Sequence, residues 1–393
     1  PWPGPAGPAG PAGPAGPAAQ RRVMTAMGGP VGVAVVGCGT ISNEYLRNLT
    51  SFPDLRVLFC ADLDIGRAKA QADKYGVPAA GSTAQALEHP GVELVVNLTV
   101  PAAHAETAAA AIAAGKSVWI EKPLALDTAS GRCLLAEADE AGVRVGCAPD
   151  TVLGAGLQTA RGLIEAGAIG VPQTALALMQ DPGPERWHPD PQFLFRRGAG
   201  PLFDMGPYYL STLATVFGPA EHVAAVGRRD RDRRVIDGGP RAGTAVDVDV
   251  STHVAALIGY SGSRAASLVL SWDSPLRRHG FIEITGTEAT LALPDPNRFD
   301  GEVRVRATGA DDWTAVPAAG TTAGRGLGVL DMARASRSGA SHRASGEIAL
   351  HVLEIMEAIE RSIRAGTFEP VRTTFTAPAA LEADWDPRAR TMA

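Results

Sequence analysis

Three polar residues in this chain have the chemistry needed for proton transfer and charge stabilisation: Lys122, Asp204 and Tyr208. Lys122 comes just after a short apolar run at residues 117–120, which predicts a buried strand. Asp204 and Tyr208 are four positions apart, so on a helix they share one face. A free tyrosine, with a pKa of about 10, is a poor base at neutral pH, but a nearby ammonium favours its phenolate. The same spacing is typical of ordinary amphipathic core residues, so these residues alone leave both interpretations open.

A glycine-rich turn earlier in the chain has the features of a phosphate site. The apolar residues 33–36 predict a buried parallel strand, which leads into Gly37-x-Gly39-x-x-Ser42 and a helix from about residue 43. Gly37 permits a sharp turn, and Gly39 has no Cβ to keep a pyrophosphate away from the backbone. The helix N-terminus then offers unpaired N–H groups. Taken alone, this near-match to G-x-G-x-x-G is also compatible with a chance glycine-rich turn.

Asp62 ends a second predicted strand, residues 55–61, and lies 25 positions after Gly37. This offset is close to the ~20 residues expected for the acid that binds the adenosine ribose. A carboxylate there accepts hydrogen bonds from both ribose hydroxyls and repels the extra phosphate of NADP. NAD is therefore the predicted cofactor, and NADP is less favoured. Arg67 could weaken this preference, and the alternative role for Asp62 is to cap the helix predicted from residue 66.

Strands and helices alternate over residues 30–150, which predicts an α/β Rossmann domain, a parallel sheet with helices on both faces. In such sheets, ligands bind beyond the carboxyl ends of the strands. Five residues follow predicted strand ends: Ser42, Asp62, Thr99, Lys122 and Pro149. His104 begins the helix predicted at residues 102–114, where it either contacts the cofactor or caps the turn.

The stretch Ala114-Gly115-Lys116-Ser117-Val118-Trp119-Ile120-Glu121-Lys122-Pro123 resembles the A-G-K-x-V strand and E-K-P motif of the Gfo/Idh/MocA oxidoreductases. The resemblance covers roughly residues 30–385 and implies that Lys122 lies beside the nicotinamide and the reacting carbon. The alternative is a surface ion pair between Glu121 and Lys122. Together with the glycine-rich turn, the resemblance assigns cofactor binding to Gly37, Gly39, Thr40, Ile41, Asp62, Thr99, Pro101, His104, Glu121 and Lys122.

A second motif, residues 198–208, resembles the family's G-x-L-x-D-x-G-x-H/Y stretch and implies catalytic roles for Lys122, Asp204 and Tyr208. Most family members have histidine at the last position. Tyrosine is typical of the glucose-fructose oxidoreductase and dihydrodiol dehydrogenase branches, which makes a typical inositol dehydrogenase less favoured. Trp187 and His188, in a Pro-rich loop before this motif, are either substrate contacts together with Tyr208 or simply exposed.

Residues 151–393 form a second predicted domain, for substrate binding and oligomerisation. We expect an α+β domain with an open, mainly antiparallel sheet, and a homodimer or homotetramer formed through that sheet. Residues 228–241 predict a mobile loop or a hairpin tip. The strand-like runs are spaced as an antiparallel meander: residues 173–179, 222–226, 248–260, 265–272, 281–285 and 289–293.

The composition narrows the functional classes. A net charge of −6 argues against nucleic acid as a partner, and no apolar run reaches the ~18–20 residues of a membrane span. Four cysteines without a C-x-x-C pair fit a reducing cytoplasm, and no metal site is expected. Residues 1–29 contain five Gly-Pro-Ala repeats and no Met at position 1. They predict a disordered tail that is upstream or added sequence.

The predicted function is hydride transfer between NAD and a hydroxyl or carbonyl carbon of a sugar, inositol or related polyol. Tyr208 is the expected base, and Lys122 stabilises charge on the substrate oxygen. Asp204 orients either the substrate hydroxyl or Lys122. Two alternatives remain. One is NAD-dependent glycoside hydrolysis on the same fold, and the other is a non-catalytic NAD-binding sensor or regulator.

Overall fold

The computed structural model describes residues 28–382 and 384–392, so all but the last two residues of the tail predicted at residues 1–29 lie outside the described residues. The first domain contains a six-stranded parallel sheet with the strand order β3-β2-β1-β4-β5-β6. Its order reverses between β1 and β4, which is where such sheets bind ligands. The strands are Val31–Val36 (β1), Leu55–Ala61 (β2), Ala79–Gly81 (β3), Leu94–Asn97 (β4), Ser117–Ile120 (β5) and Val145–Cys147 (β6).

Helices connect these strands and cover the sheet, which confirms the predicted Rossmann architecture. All six residues of β1 are buried, as expected for a strand with helices on both faces. The helices are Ser42–Leu49 (α1), Ile65–Tyr75 (α2), Thr83–Glu88 (α3), His104–Ala113 (α4) and Thr128–Ala141 (α5).

The second domain is built on a nine-stranded sheet with the order β16-β15-β14-β13-β7-β12-β11-β8-β17. A separate two-stranded hairpin, β9 and β10, contains part of the loop predicted at residues 228–241. The strands are Pro172–Gln180 (β7), Ala220–Arg228 (β8), Arg233–Val235 (β9), Ala245–Asp247 (β10), His253–Tyr260 (β11), Arg264–Ser271 (β12), Arg278–Gly286 (β13), Ala289–Leu293 (β14), Val303–Ala307 (β15), Thr314–Val316 (β16) and Glu369–Pro370 (β17).

The sheet is open and mainly antiparallel, as predicted, but the expectation of a simple meander is wrong at its centre. β7 lies between β13 and β12 and pairs in parallel with β12. β7 enters the sheet long before β12 in the chain, so no hairpin connects these two strands, and their directions are free to agree.

Four further helices complete the second domain: Ala155–Glu165 (α6), Gly200–Phe217 (α7), Leu327–Ser338 (α8) and Gly346–Ala365 (α9). α7 is apolar on nearly all sides and is correspondingly buried between the sheet and α9. α8 returns to the first domain, where a Cβ on Gly328 would lie 2.1 Å from the Trp119 ring. The ion pair Arg337–Glu93, at 2.7 Å, also joins α8 to that domain. These contacts hold the two sheets in a defined relation.

Candidate active site

Lys122, Asp204 and Tyr208 meet in the cleft between the two domains. Lys122 follows β5, while Asp204 and Tyr208 lie one turn apart on α7. The Lys122 Nζ donates to Asp204 Oδ1 at 2.8 Å and to the Asp204 main-chain oxygen at 2.6 Å. It lies 5.4 Å from the centroid of the Tyr208 ring. Lys122 therefore pairs with Asp204. The alternative prediction, a surface ion pair between Lys122 and Glu121, is wrong.

The electrostatic surroundings keep Lys122 charged. Burial alone would lower its pKa, but electrostatic interactions with Asp204, Tyr208 and Glu121 hold that pKa above the usual value. Only 16% of the Lys122 side chain is exposed. A lysine that stays protonated donates hydrogen bonds and does not act as a base. The proton acceptor of the site must therefore be a different group.

Arg325 is part of this site and was not predicted. Its Nη2 donates to the Tyr208 Oη at 3.2 Å and to Asn297 Oδ1 at 3.1 Å. Its guanidinium carbon also lies 5.8 Å from the centroid of the Tyr208 ring. The hydrogen bond to the phenol oxygen thus comes from Arg325, whereas the hydrogen bonds of Lys122 go to Asp204. Arg325 sits in a loop before α8, 117 positions from Tyr208, so no local sequence pattern connects them.

A buried carboxyl group, Asp150, holds the loop that carries Arg325. Asp150 Oδ2 accepts hydrogen bonds from the main-chain N–H groups of Gly326, at 2.7 Å, and Gly328, at 3.1 Å. Burial raises the pKa of Asp150 to about 6, although Arg325 and the two N–H groups work in the opposite direction. Its Oδ1 and the Arg325 Nη1 are both buried without a hydrogen-bond partner among the described residues. Asp150 follows Pro149 at the end of β6, so the strand-end rule that identified Lys122 applied here as well.

Glu121 supports the first-domain side of the cleft. Its Oε1 accepts a hydrogen bond from the Tyr45 hydroxyl at 2.8 Å, and its Oε2 accepts one from the Lys122 main-chain N–H at 3.0 Å. The Trp119 Nε1 in turn donates to the Tyr45 Oη at 3.2 Å. Glu121 therefore anchors the segment after β5 and fixes the backbone from which the Lys122 side chain extends.

The glycine-rich turn has the geometry that a dinucleotide requires. Gly37 adopts φ +94°, and a Cβ there would lie 2.6 Å from the Leu98 carbonyl carbon, so only glycine fits. A Cβ on Gly39 would meet nothing within 4 Å, which leaves that side of the turn open. In the part of the chain that the structure describes, the main-chain N–H groups of Gly39, Thr40 and Ile41 donate to no protein group. These residues fit a pyrophosphate at the start of α1.

Asp62 lies at the end of β2, directly against this turn. Its Oδ2 accepts a hydrogen bond from the Cys38 N–H at 2.7 Å, and its Oδ1 accepts one from the Asp64 N–H at 2.9 Å. The helix cap is Asp64, whose carboxylate accepts from the Arg67 N–H, so the capping alternative for Asp62 is wrong. Arg67 lies 3.6 Å from Asp62 and 3.7 Å from Asp64. The position of Asp62 fits a ribose ligand, with a cation close by.

Three other predicted cofactor residues follow β4. The Thr99 hydroxyl donates to Asn97 Oδ1 at 2.6 Å, and Pro101 is exposed in a short 3₁₀ turn. His104 is only 1% exposed, and its ring nitrogens lie 2.7 and 3.0 Å from the carbonyl oxygens of Pro123 and Thr99. His104 forms no side-chain cap at the start of α4, and its contact with the cofactor stays a prediction. It joins the segment after β4 to the segment after β5.

Trp187 and His188 lie in the loop after β7. The ring of His188 packs edge-on against Trp187, at 5.5 Å between centroids, and against Phe193, at 5.4 Å. Its Nδ1 accepts a hydrogen bond from the Asp190 N–H at 3.0 Å. Across the residues that the structure describes, these contacts of His188 stay within its own loop and do not reach Tyr208. Contact with substrate stays a prediction for both residues.

Residues 28–382 and 384–392 contain neither a group of metal ligands nor a membrane-spanning helix. No three His, Cys, Asp or Glu side chains are grouped so that they could hold a metal ion. None of the helices is both long and apolar enough to cross a membrane. All four cysteines are free thiols.

The chain is similar to known dehydrogenases in sequence and in fold. Trans-1,2-dihydrobenzene-1,2-diol dehydrogenase of Bos taurus is 27% identical over 267 residues, 67% of this chain and 73% of that enzyme. Inositol 2-dehydrogenase 3 of Saccharopolyspora erythraea is 28% identical over 301 residues, 72% of this chain and 79% of that enzyme. A levoglucosan dehydrogenase in complex with NADH and L-sorbose shares the fold, with a TM-score of 0.76 at 22% identity, covering 88% of this chain and 100% of that chain.

Two family profiles match this chain and together cover more than half of it. The profile of the oxidoreductase family with an NAD-binding Rossmann fold matches residues 31–148. The profile of the GFO/IDH/MocA C-terminal domain matches residues 157–292. The resemblance seen in the E-K-P and G-x-L-x-D-x-G-x-H/Y motifs is thus confirmed over both domains. The chain belongs to the GFO/IDH/MocA family of NAD-binding oxidoreductases.

Proposed function

We propose that this protein is an NAD-dependent dehydrogenase that transfers hydride between the nicotinamide and a CH–OH carbon of a sugar or polyol. The observation that carries the proposal is the contact between Lys122 of the first domain and Asp204 of the second, beside the Tyr208 ring. This contact lies after β5, at the sheet edge where the cofactor of a Rossmann domain binds.

NAD, when bound, supplies a nicotinamide carbon that accepts or returns a hydride. Tyr208 takes the proton of the substrate hydroxyl during oxidation and returns it during reduction. Lys122 donates a hydrogen bond to the same substrate oxygen and stabilises its developing negative charge. Asp204 holds Lys122 in place through the 2.8 Å ion pair, which is one of the two roles expected for it.

The substrate class rests on the relatives named for diols and inositol. A glycoside hydrolase on this fold would release free sugar without net NADH, and a sensor would bind NAD without turnover. The Lys122–Asp204 pair favours the dehydrogenase over a sensor, because a sensor needs no charged groups at the reacting carbon. NADH formation across a panel of sugars, polyols and trans-dihydrodiols identifies a dehydrogenase, and release of free sugar from glycosides separates the hydrolase from the sensor.

Replacing Tyr208 with phenylalanine removes the proposed base and little else. We expect Tyr208→Phe to lower turnover by roughly 10²–10⁴-fold, the usual contribution of acid–base catalysis. NADH affinity, measured by fluorescence titration, should barely change, because Tyr208 is assigned to the substrate. Turnover at the wild-type rate would remove Tyr208 from the mechanism, and His188 would become the next candidate.

Lys122→Met tests whether the two residues act on one oxygen. We expect it to lower turnover as well, and the double variant to lose far less than the product of the two single losses. Losses that multiply would mean that Lys122 and Tyr208 serve separate steps.

The preference for NAD over NADP is proposed to come from Asp62. Its carboxylate lies beside the phosphate turn and would repel a 2′-phosphate, although Arg67 at 3.6 Å reduces that repulsion. Asp62→Ser should narrow the difference between NADH and NADPH affinities, and Arg67→Gln should widen it. Tighter binding of NADPH than NADH by the wild type would contradict the assignment.

The proposed assembly is a homodimer or homotetramer through the open face of the nine-stranded sheet. Leu176, Ser267, Leu257 and Ala224 form one cross-strand row on this face. Leu176 and Leu257 are 41% and 55% exposed. A second copy of the chain would cover them, so sedimentation of the wild type and of Leu257→Lys tests this assembly.

A cytoplasmic location remains a proposal that rests on cysteine usage.

A further inference from the structure

Arg325 is an arginine whose charge no acidic partner neutralises directly. It is partly buried, and among the described residues no carboxylate oxygen lies within 4.0 Å of its guanidinium. Its Nη2 donates instead to two neutral oxygens, those of the Tyr208 hydroxyl and the Asn297 amide. Buried guanidinium groups ordinarily pair with carboxylates. The group that donates a hydrogen bond to the Tyr208 hydroxyl is thus a positive charge that, among the described residues, no carboxylate contacts directly.

Around Tyr208, Lys122 and Asp204 compensate each other directly, whereas two acidic groups face Arg325 from a greater distance. On the side of β5, Lys122 forms a 2.8 Å ion pair with Asp204, so this pair is close to neutral as seen from the phenol ring. Glu121 and Asp150 face Arg325 from the first domain, at longer range than an ion pair. Glu121 already accepts hydrogen bonds from Tyr45 and the Lys122 N–H. Asp150 has a raised pKa of about 6, so part of its negative charge is lost in weakly acidic solution.

We propose that Arg325 is the positioning residue for proton transfer: its guanidinium orients the Tyr208 hydroxyl and favours the phenolate form. The proposal rests on the function proposed above, in which Tyr208 is the base. It also changes the role of Lys122. Lys122 acts on the substrate oxygen, and Arg325 rather than Lys122 prepares Tyr208 to accept a proton. The physical reason is that a full positive charge at hydrogen-bond distance stabilises an anion more than a neutralised ion pair does.

Ultraviolet absorption of the phenolate tests this without a known substrate. The titration of Tyr208 is isolated by subtracting the spectrum of each protein's Tyr208→Phe counterpart, over a range of pH in the full-length chain. We expect Arg325→Gln, which keeps a donor but loses the charge, to move the Tyr208 midpoint to higher pH by about 1 to 3 units. Arg325→Lys, which keeps the charge, should fall between the wild type and Arg325→Gln.

Two controls separate the charge from its surroundings. Arg298 is an exposed arginine next to Asn297, and it pairs with Asp300. Arg298→Gln should leave the Tyr208 midpoint unchanged. The double variant Lys122→Met/Asp204→Asn removes the neutral pair and keeps Arg325. Its Tyr208 midpoint should stay near that of the wild type, and this measurement does not depend on whether Arg325→Gln folds. Far-ultraviolet circular dichroism reports the folding of each variant, because Lys122 is itself assigned to cofactor binding.

The proposal is overturned if Arg325→Gln, with NADH affinity intact, titrates like the wild type. It is also overturned if the double variant Lys122→Met/Asp204→Asn moves the Tyr208 titration midpoint by about 1 to 3 pH units. Once a substrate is known, the acidic limb of kcat/KM for alcohol oxidation should move to higher pH in Arg325→Gln. The proposed function fails separately, through normal turnover by Tyr208→Phe, even if the spectroscopic shift is found.

Discussion

Two arginines of the second domain lie over aromatic rings in similar geometry but have different partners. The Arg234 guanidinium carbon lies 5.5 Å from the Phe195 ring centroid, and that of Arg325 lies 5.8 Å from the Tyr208 ring centroid. Arg234, with 4% of its side chain exposed, pairs with Glu185 at 2.7 Å and also with Asp273. Within the part of the chain that the structure describes, Arg325 has no such pair, and its Nη2 is bonded to a phenol and an amide.

The difference separates a structural arginine from a functional one. Two carboxylates neutralise the charge of Arg234. These ion pairs anchor the β9–β10 hairpin to the loop after β7 and to the end of β12. The charge of Arg325 is instead directed at the hydroxyl of Tyr208, the proposed base. The position of Arg325 is not explained by stability, because burying a guanidinium without a carboxylate in direct contact costs free energy.

The largest expected effect on stability is at Arg234. Arg234→Met leaves Glu185 and Asp273 buried without their cation, so we expect the free energy of unfolding to fall by about 3–5 kcal/mol in urea titrations. Arg233→Met, in the same strand with a side chain 67% exposed, is the matched control and should change little. Arg325→Met should destabilise the fold less than Arg234→Met, because no carboxylate loses an ion-pair partner in that variant. The reverse order would mean that Arg325 is the structural residue.

Asp150 gives an intermediate effect that depends on pH. Burial raises its folded pKa to about 6 from the usual 3.8, so the folded state binds this proton more tightly than the unfolded chain does. The contribution of Asp150 to stability is therefore full below the unfolded pKa and is lost as the pH rises through the folded pKa. Asp150→Asn keeps an oxygen for the Gly326 and Gly328 N–H groups but does not titrate.

Relative to Asp150→Asn, the wild type should lose about 3 kcal/mol of stability over that pH window, at about 1.4 kcal/mol per pKa unit. Thermal or urea unfolding of both proteins at several pH values measures this difference. Parallel pH dependence in the two proteins would show that Asp150 is not an uncompensated carboxyl group, and that the Arg325 loop resembles the Arg234 cluster after all.

The smallest expected effect is at Asn297, which accepts a 3.1 Å hydrogen bond from Arg325. Asn297→Ala should lower the free energy of unfolding by about 1 kcal/mol. It should move the Tyr208 midpoint much less than Arg325→Gln, since the charge remains. Asn48→Ala is the matched control, because Asn48 Nδ2 donates to the Arg325 main-chain oxygen at 2.7 Å. An equal shift of the midpoint in both variants would indicate loop movement instead of a local contact.

Local sequence patterns were sufficient for most of the fold. The predictions for residues 55–61, 117–120 and 289–293 coincide with β2, β5 and β14, because apolar runs between turn residues are local signals. β3 and β16 were not predicted, since strands of three residues carry too little pattern. α8 was also not predicted. It places Gly328 and Asp331 on buried positions, which weakens its amphipathic pattern.

The sequence by itself determined which residues lie at the cleft from each side. Lys122 and Asp62 follow from the rule that parallel strands end at one edge, and the pairing of Asp204 with Tyr208 follows from helical periodicity. Only the tertiary structure decided how these groups are paired. Asp204 neutralises Lys122, and Arg325 reaches Tyr208 from 117 positions away. Which of the charged groups has a direct ion-pair partner depends on long-range packing, and no local spacing of residues encodes that outcome.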